Sequence, residues 1–123
     1  MKLIAITSNT SWYLYNFRKN TIIELLENDY QILAISPYDK YTKFLLELGC
    51  NHININIDQG GKNILKDIIT FITFLYIFWK NKPKVIMSFT SKNNIYATLA
   101  ASLLSIKTIN NISGLGSVFK KRT

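Results

Sequence analysis

Apolar and polar positions along this chain switch repeatedly between two periods. Residues 3–7 make a short apolar run closed by Ser8-Asn9-Thr10-Ser11, the pattern of a buried strand. Residues 13–27 follow with helical spacing and close at Asn28-Asp29. A second strand is expected over 31–36, stopped by Pro37, and a second helix over 40–48, stopped by Gly49 at the C′ position. Residues 52–57 alternate strictly, Ile53, Ile55 and Ile57 against Asn54 and Asn56, as a strand with one wet face does. A long helix is expected over 64–80, a fourth strand over 84–88, a helix over 93–105 and a fifth strand over 107–111. This alternation predicts an α/β fold: a single Rossmann-like domain with a five-stranded parallel sheet, right-handed crossovers and helices on both faces.

Composition narrows this picture. The chain has 123 residues, 48% of them hydrophobic and 18% charged, which suits one domain with a real core. Cys50 is the single cysteine, so no internal disulfide framework exists; a lone thiol suits a reducing cytoplasm and a core position. Of the fifteen basic residues behind the +8 net charge, thirteen are Lys. Together with abundant Asn, Ile and Tyr, this is the bias of AT-rich coding, so part of the charge is compositional. The remainder favours anionic surfaces such as phospholipid headgroups. Met1-Lys2 leads straight into the first apolar run with no small-residue cleavage site, which reads as a strand and not a secretory signal. The expected location is cytoplasmic, peripheral on the inner face of the cell membrane.

In a doubly wound sheet, ligands lie beyond the carboxyl ends of the strands, where the strand order reverses. That rule selects the loops at 8–12, 37–41, 58–63, 89–94 and 112–117. The first has no glycine, which argues against a nicotinamide or flavin site, because a pyrophosphate needs close approach of backbone amides. No P-loop, metal-ligand cluster or serine-hydrolase elbow is present, so no cofactor and no metal are expected. His52, the only histidine, opens a strand and reads as a structural or surface residue, not a catalytic one. Arg18 falls among Leu14, Ile22 and Leu25 on the helical wheel, inside the apolar arc. Two readings stand for it: a guanidinium lying over the edge of the core, or one that binds a phosphate or acidic sugar. Lys92 beside the start of the fourth helix could add charge to free helix amides, as an anion cradle does.

The helix over 64–80 runs from 68 to 79 without a charge, about twelve residues where a bilayer span needs roughly twenty. Ile64, Ile68, Ile72, Leu75 and Trp79 line one side, and Phe71, Phe74 and Phe78 widen the arc to about twice the usual 100°. Either both sides are covered by protein, or Phe71, Phe74 and Phe78 contact an anionic membrane with Lys62, Lys66, Lys80, Lys82 and Lys84 near the helix ends.

Four segments, residues 9–18 (NTSWYLYNFR), 35–41 (ISPYDKY), 88–101 (SFTSKNNIYATLAA) and 110–119 (NNISGLGSVF), taken in order across the whole chain, resemble family 4 glycosyltransferases. The closer likeness is to the branch that makes bacterial capsule, O-antigen and lipid-linked glycans. The resemblance implies the N-terminal, acceptor-side domain of a two-domain GT-B fold. Its acceptor would be a lipid-linked sugar, transfer would retain anomeric configuration without a bound metal, and a donor domain would bind the nucleotide sugar. By position Asn9, Trp12, Asn16 and Arg18 match the first acceptor loop; Lys92, Asn94 and Tyr96 match the fourth; Asn111, Gly114 and Gly116 match a glycine loop facing the cleft.

Two departures from the family pattern bear on function. Gln59-Gly60-Gly61 stands where the family has Arg-x-Gly, and the sequence stops at Lys120-Lys121-Arg122-Thr123, just after the glycine loop. The expectation is an incomplete domain over 1–123, inactive alone and using a nucleotide sugar only with a donor domain supplied in trans; no nucleic acid is expected among its partners. The alternative is a non-catalytic glycan- or membrane-binding module, or the acceptor subunit of a split transferase. A flavodoxin-like regulator is disfavoured, since no phosphoacceptor carboxylate ends the first strand.

Overall fold

The computed structural model describes residues 2–56, 63–89 and 91–110; the side chains of 91–94 lie outside the description. In chain order the elements are β1 (Lys2–Thr7), α1 (Ser11–Glu27), β2 (Tyr30–Ile35), α2 (Thr42–Leu48), β3 (Asn51–Ile53), α3 (Ile64–Asn81), β4 (Val85–Ser88), α4 (Ser91–Leu103) and β5 (Lys107–Asn110). The five strands are all parallel, in the order β3-β2-β1-β4-β5. This is the expected Rossmann-like α/β architecture.

β1 holds the centre of the sheet. Thr7 lies in register between Ile35 of β2 and Ser88 of β4, and Ser88 in turn pairs with Asn110. The chain steps outward from β1 to β2 and β3, then returns to the other side for β4 and β5. Right-handed crossovers in opposite directions put α1 and α2 on one face and α3 and α4 on the other. Because side chains alternate along a strand, the same strands feed two cores. Ile4, Ile6, Ile32 and Ala34 pack with Leu14, Ile22 and Leu45 under α1 and α2. Ala5, Leu33, Ile35 and Ile86 pack with Phe74, Ile77, Phe78, Ala97 and Ala101 under α3 and α4. The fully buried alanines leave α4 little bulk on its inner side, so it sits close to β4 and β5.

Local chemistry fixes the element ends. Thr10 caps α1 by accepting from Tyr13 N, so the helix begins at Ser11, ahead of the apolar period at 13. Asn63 caps α3 through the backbone N–H of Leu65 and Lys66. Gly49 ends α2 in the left-handed region (φ 117°), where a side chain would be strained. β3 is shorter than the alternation over 52–57 predicts. It pairs only with β2, and beyond it Asn54 Oδ1 accepts from Tyr38 N while Asn56 O accepts from the Thr70 hydroxyl. Ile55 still reaches the core, and Ile57 lies outside the described residues.

The expected membrane contacts need correction. Phe74 and Phe78 are 0% exposed and stack at 5.6 Å inside the core; Phe71 is half-buried and packs against the same cluster. Phe74 and Phe78 are on the sheet side of α3 and not available to lipid, and Phe71 packs at the edge of that side. The apolar residues that face outward are Ile64, Leu65, Ile68, Ile69, Ile72, Tyr76 and Trp79.

Candidate functional site

Strand order reverses between β1 and β4, so the crevice a ligand would use opens over Thr7 and Ser88. A row of small hydroxyl residues floors its edge. Thr7, Ser8, Ser11, Ser36, Thr42 and Ser88 are all buried, each at or just beyond the end of an apolar strand or at the start of the following helix. Short side chains there let the loops pack against the strand ends while still offering polar atoms.

The first two loops are tied together by one hydrogen-bond network. Ser11 Oγ donates to Pro37 O at 2.9 Å, accepts from Thr42 Oγ1 at 2.9 Å, and lies 2.8 Å from Ser36 Oγ. A hydroxyl has one proton, so with Ser11 donating to Pro37, Ser36 must donate to Ser11. The Ser36 oxygen is then free to accept from His52 Nε2, 3.1 Å away. This chain fixes His52 as the neutral Nε2–H tautomer. Its Nδ1 is buried without a partner, and its ring packs 5.0 Å from Tyr38. Burial lowers the His52 pKa below 6.5, against smaller opposing pulls from Ser36 and Asp39. His52 is thus a brace between β2 and β3, the structural role its position at a strand start suggested. Cys50, buried in the core, is pushed up to about 11 by desolvation and stays a thiol.

Asp39 decides where an anion can go. Its Oδ2 accepts from Trp12 N at 2.9 Å and its Oδ1 from Tyr41 N at 2.7 Å. With Thr10 taking Tyr13 N, two first-turn amides of α1 are already engaged, one of them by a carboxylate. The Asp39 carboxylate disfavours a phosphate at the N-terminus of α1. Sequence reasoning did not single out Asp39 or the hydroxyl row. The signal was present in the repeated ending of strands on hydroxyls: Ile6-Thr7-Ser8, Ile35-Ser36 and Met87-Ser88.

The candidate residues of α1 divide between two sides. Arg18 lies in the apolar arc, as its place between Leu14 and Ile22 predicts. Its guanidinium sits 4.8 Å from the Phe89 ring and 5.7 Å from that of Tyr13, and donates to Tyr13 Oη at 3.1 Å. Its Nε is buried with no hydrogen-bond partner. Asn16, two residues away, is exposed and donates to Trp12 O at 2.9 Å, while Trp12 stacks edge-on to Phe17 at 5.3 Å. Residues two apart on a helix face opposite ways, so Asn16 and Trp12 do not converge with Arg18. Asn9 is half-buried in the first loop. On the other wall Tyr96 packs against the α3/α4 core, and Thr98 Oγ1 donates to Asn110 Oδ1 at 3.0 Å. Lys92 and Asn94 lie in the first turn of α4, their side chains outside the description; Asn111, Gly114 and Gly116 lie outside the described residues. Among the described residues no group of three or more His, Cys, Asp or Glu could hold a metal. A separate hollow of about 530 Å³, lined by Thr21, Glu24, Leu25, Asn28 and Tyr30, lies at the opposite end of the sheet from the crevice.

The fold that carries this crevice is similar to a Rossmann-like part of several solved structures, glycosyltransferases among them. MurG of Acinetobacter baumannii superposes with a TM-score of 0.70 at 14% identity, over 91% of this chain and 34% of that one. A glycosyltransferase from Rickettsia africae gives 0.73 at 15% identity, over 89% of this chain and 29% of its own. A UDP-GlcNAc 2-epimerase from Neisseria meningitidis, solved with UDP-GlcNAc bound, gives 0.64 at 15% identity, over 89% and 32%. The chain thus spans about a third of the length of these structures, and identities this low establish the fold alone. No protein-family model matches the sequence, and no curated protein matches it by sequence.

Proposed function

We propose that this chain forms the acceptor-side wall of a sugar-transfer cleft, in a retaining GT-B enzyme of bacterial surface polysaccharide or lipid-linked glycan synthesis. The observation that carries this reading is Arg18: a half-buried arginine, its Nη2 on Tyr13 and its Nε buried and unpartnered, beside the switch point of the sheet. A phosphate or acidic sugar is the partner a guanidinium binds best. Lys92, in the first turn of α4 just after β4, is the second cation of this reading. The acceptor role of Asn9, Asn94, Tyr96, Asn111, Gly114 and Gly116 belongs to it too, with Trp12 and Asn16, which do not converge with Arg18, meeting a different part of the acceptor. The chain's span of about a third of the two glycosyltransferase structures supports a need for a donor-binding half, in the same polypeptide or another.

The test is binding of a polyprenyl-diphosphate sugar. Arg18→Ala and Lys92→Ala should each weaken it by about 1.5–3 kcal/mol, the range for hydrogen bonds to charged groups. Unchanged binding in both variants would place the acceptor elsewhere. The 123 residues alone should show no turnover with any nucleotide sugar, because holding two reactants in one geometry supplies roughly 7–11 kcal/mol of the barrier reduction.

A further inference from the structure

The outward side of α3 is apolar where a surface helix is normally polar. Leu65 is 71% exposed, Ile69 63% and Trp79 61%, with Ile64, Ile68, Ile72 and Tyr76 filling the arc between them. The buried set Thr70, Phe74, Ile77 and Phe78 occupies the opposite arc. Both sides of the helix are therefore hydrophobic, and only one is used by the core. Toward α4 the exposed side continues into a shallow groove of about 380 Å³, where Ile72, Tyr76 and Trp79 meet Leu103 and Leu104. A contiguous exposed apolar patch of several hundred Å² marks an interaction surface.

We propose that this face docks the protein onto an anionic lipid bilayer, with α3 lying in the plane of the interface. Charge selects this occupant over the others. Lys80, Lys82 and Lys84 follow Trp79 at the end of the helix, and Lys107 stands beside them, its strand pairing in register with Val85; all four side chains are exposed. Lys66 lies near the other end. Among the described residues α3 and α4 carry one acid, Asp67. Lys80 Nζ lies 5.8 Å from the Tyr76 ring, which is 6.5 Å from that of Trp79. Aromatic rings with a cation beside them match the boundary between headgroups and acyl chains. A second copy packed with parallel helices fits poorly, because it would bring the lysines of one copy against those of the other; an antiparallel copy would appear as the stable dimer of the test below. No helix among the described residues is long and apolar enough to cross a membrane, so the contact is interfacial. The proposal does not depend on sugar transfer.

The test uses the purified chain with vesicles of phosphatidylcholine alone and with an equal mixture of phosphatidylcholine and phosphatidylglycerol. The protein should sediment with the mixed vesicles only, and less as salt is added. In a Trp12→Phe background, Trp79 emission should shift to the blue on those vesicles. The double variant L65S/I72S alters exposed positions, so it should keep the parent circular dichroism spectrum and lose more than about tenfold in affinity. K80Q/K84Q should lose about tenfold. Equal sedimentation with neutral vesicles, no sedimentation at all, or parent-like binding by either folded variant overturns the proposal. So does a stable dimer in which Trp79 is already blue-shifted without lipid, since the face would then belong to a second copy.

Discussion

The two helical layers cover the same sheet and finish their outer surfaces in opposite ways. Around α1 the outward positions include Asn16, Asn20, Glu24 and Glu27 beside the exposed rings of Trp12 and Phe17, and its start is stitched to α2 by Ser11, Ser36, Thr42 and Asp39. Around α3 the outward positions are Ile64, Leu65, Ile68, Ile69, Ile72, Tyr76 and Trp79. The first layer is held by directional bonds at one edge as well as by its core, the second chiefly by packed rings and alanines. On α3 the strongly apolar side is the one that faces outward, so the apolar pattern there does not announce which side is buried.

The sharpest way to break this comparison is on α3 itself. Phe78→Ala should cost about 3–5 kcal/mol, the range for emptying a buried aromatic site, while Leu65→Ser should stay within about 0.5 kcal/mol of the parent. Urea denaturation of both variants measures the contrast, and equal losses would mean the face assignment of α3 is wrong. On the other layer, Ser11→Ala should cost about 1–3 kcal/mol, because it removes an acceptor for Ser36 and Thr42 and leaves Pro37 O unpaired. Thr73→Ala on α3 is the matched control: its hydroxyl bonds only to Ile69 O at an exposed position, and its loss should be near neutral. A Ser11 variant as stable as the Thr73 variant would remove the directional network from the account.

The smallest effect is a pH dependence confined to the first layer's edge. His52 titrates below 6.5 in the fold, so between that lowered value and 6.5 the unfolded chain binds more protons than the folded one. Stability should therefore be fully present above pH 6.5 and fall as the pH drops through that window. Denaturation midpoints near about pH 7.5 and about pH 5.5 should differ in the parent by more than in His52→Gln. An identical difference in the two proteins would show that the imidazole does not contribute.

Legibility in the sequence follows the same divide. Strand order and the α/β class were readable because short apolar runs alternate with long periodic ones, and the position of Arg18 was readable because Leu14 and Ile22, four residues to either side of it, are both buried. The face of α3 was not, since Phe71, Phe74 and Phe78 compete with an equally apolar opposite arc and periodicity reports only contrast. The full length of β3 was not readable either, because side chains drew Asn54 and Asn56 off the ladder, a tertiary effect. The hydroxyl network escaped because its members come from loops whose meeting depends on strand order, and Asp39 gains its role only when the second loop reaches Trp12.

The pairing of Thr7 with Ser88 also sets a clock. The two walls of the crevice leave the ribosome about eighty residues apart, roughly 4–16 s at ordinary synthesis rates. Through that interval β1 has β2 on one side and nothing on the other, so the central strand of the finished sheet spends its early life as an exposed edge. Its polar end, Thr7 and Ser8, is then open to water. The apolar stretch behind it is the segment most in need of prompt completion by β4.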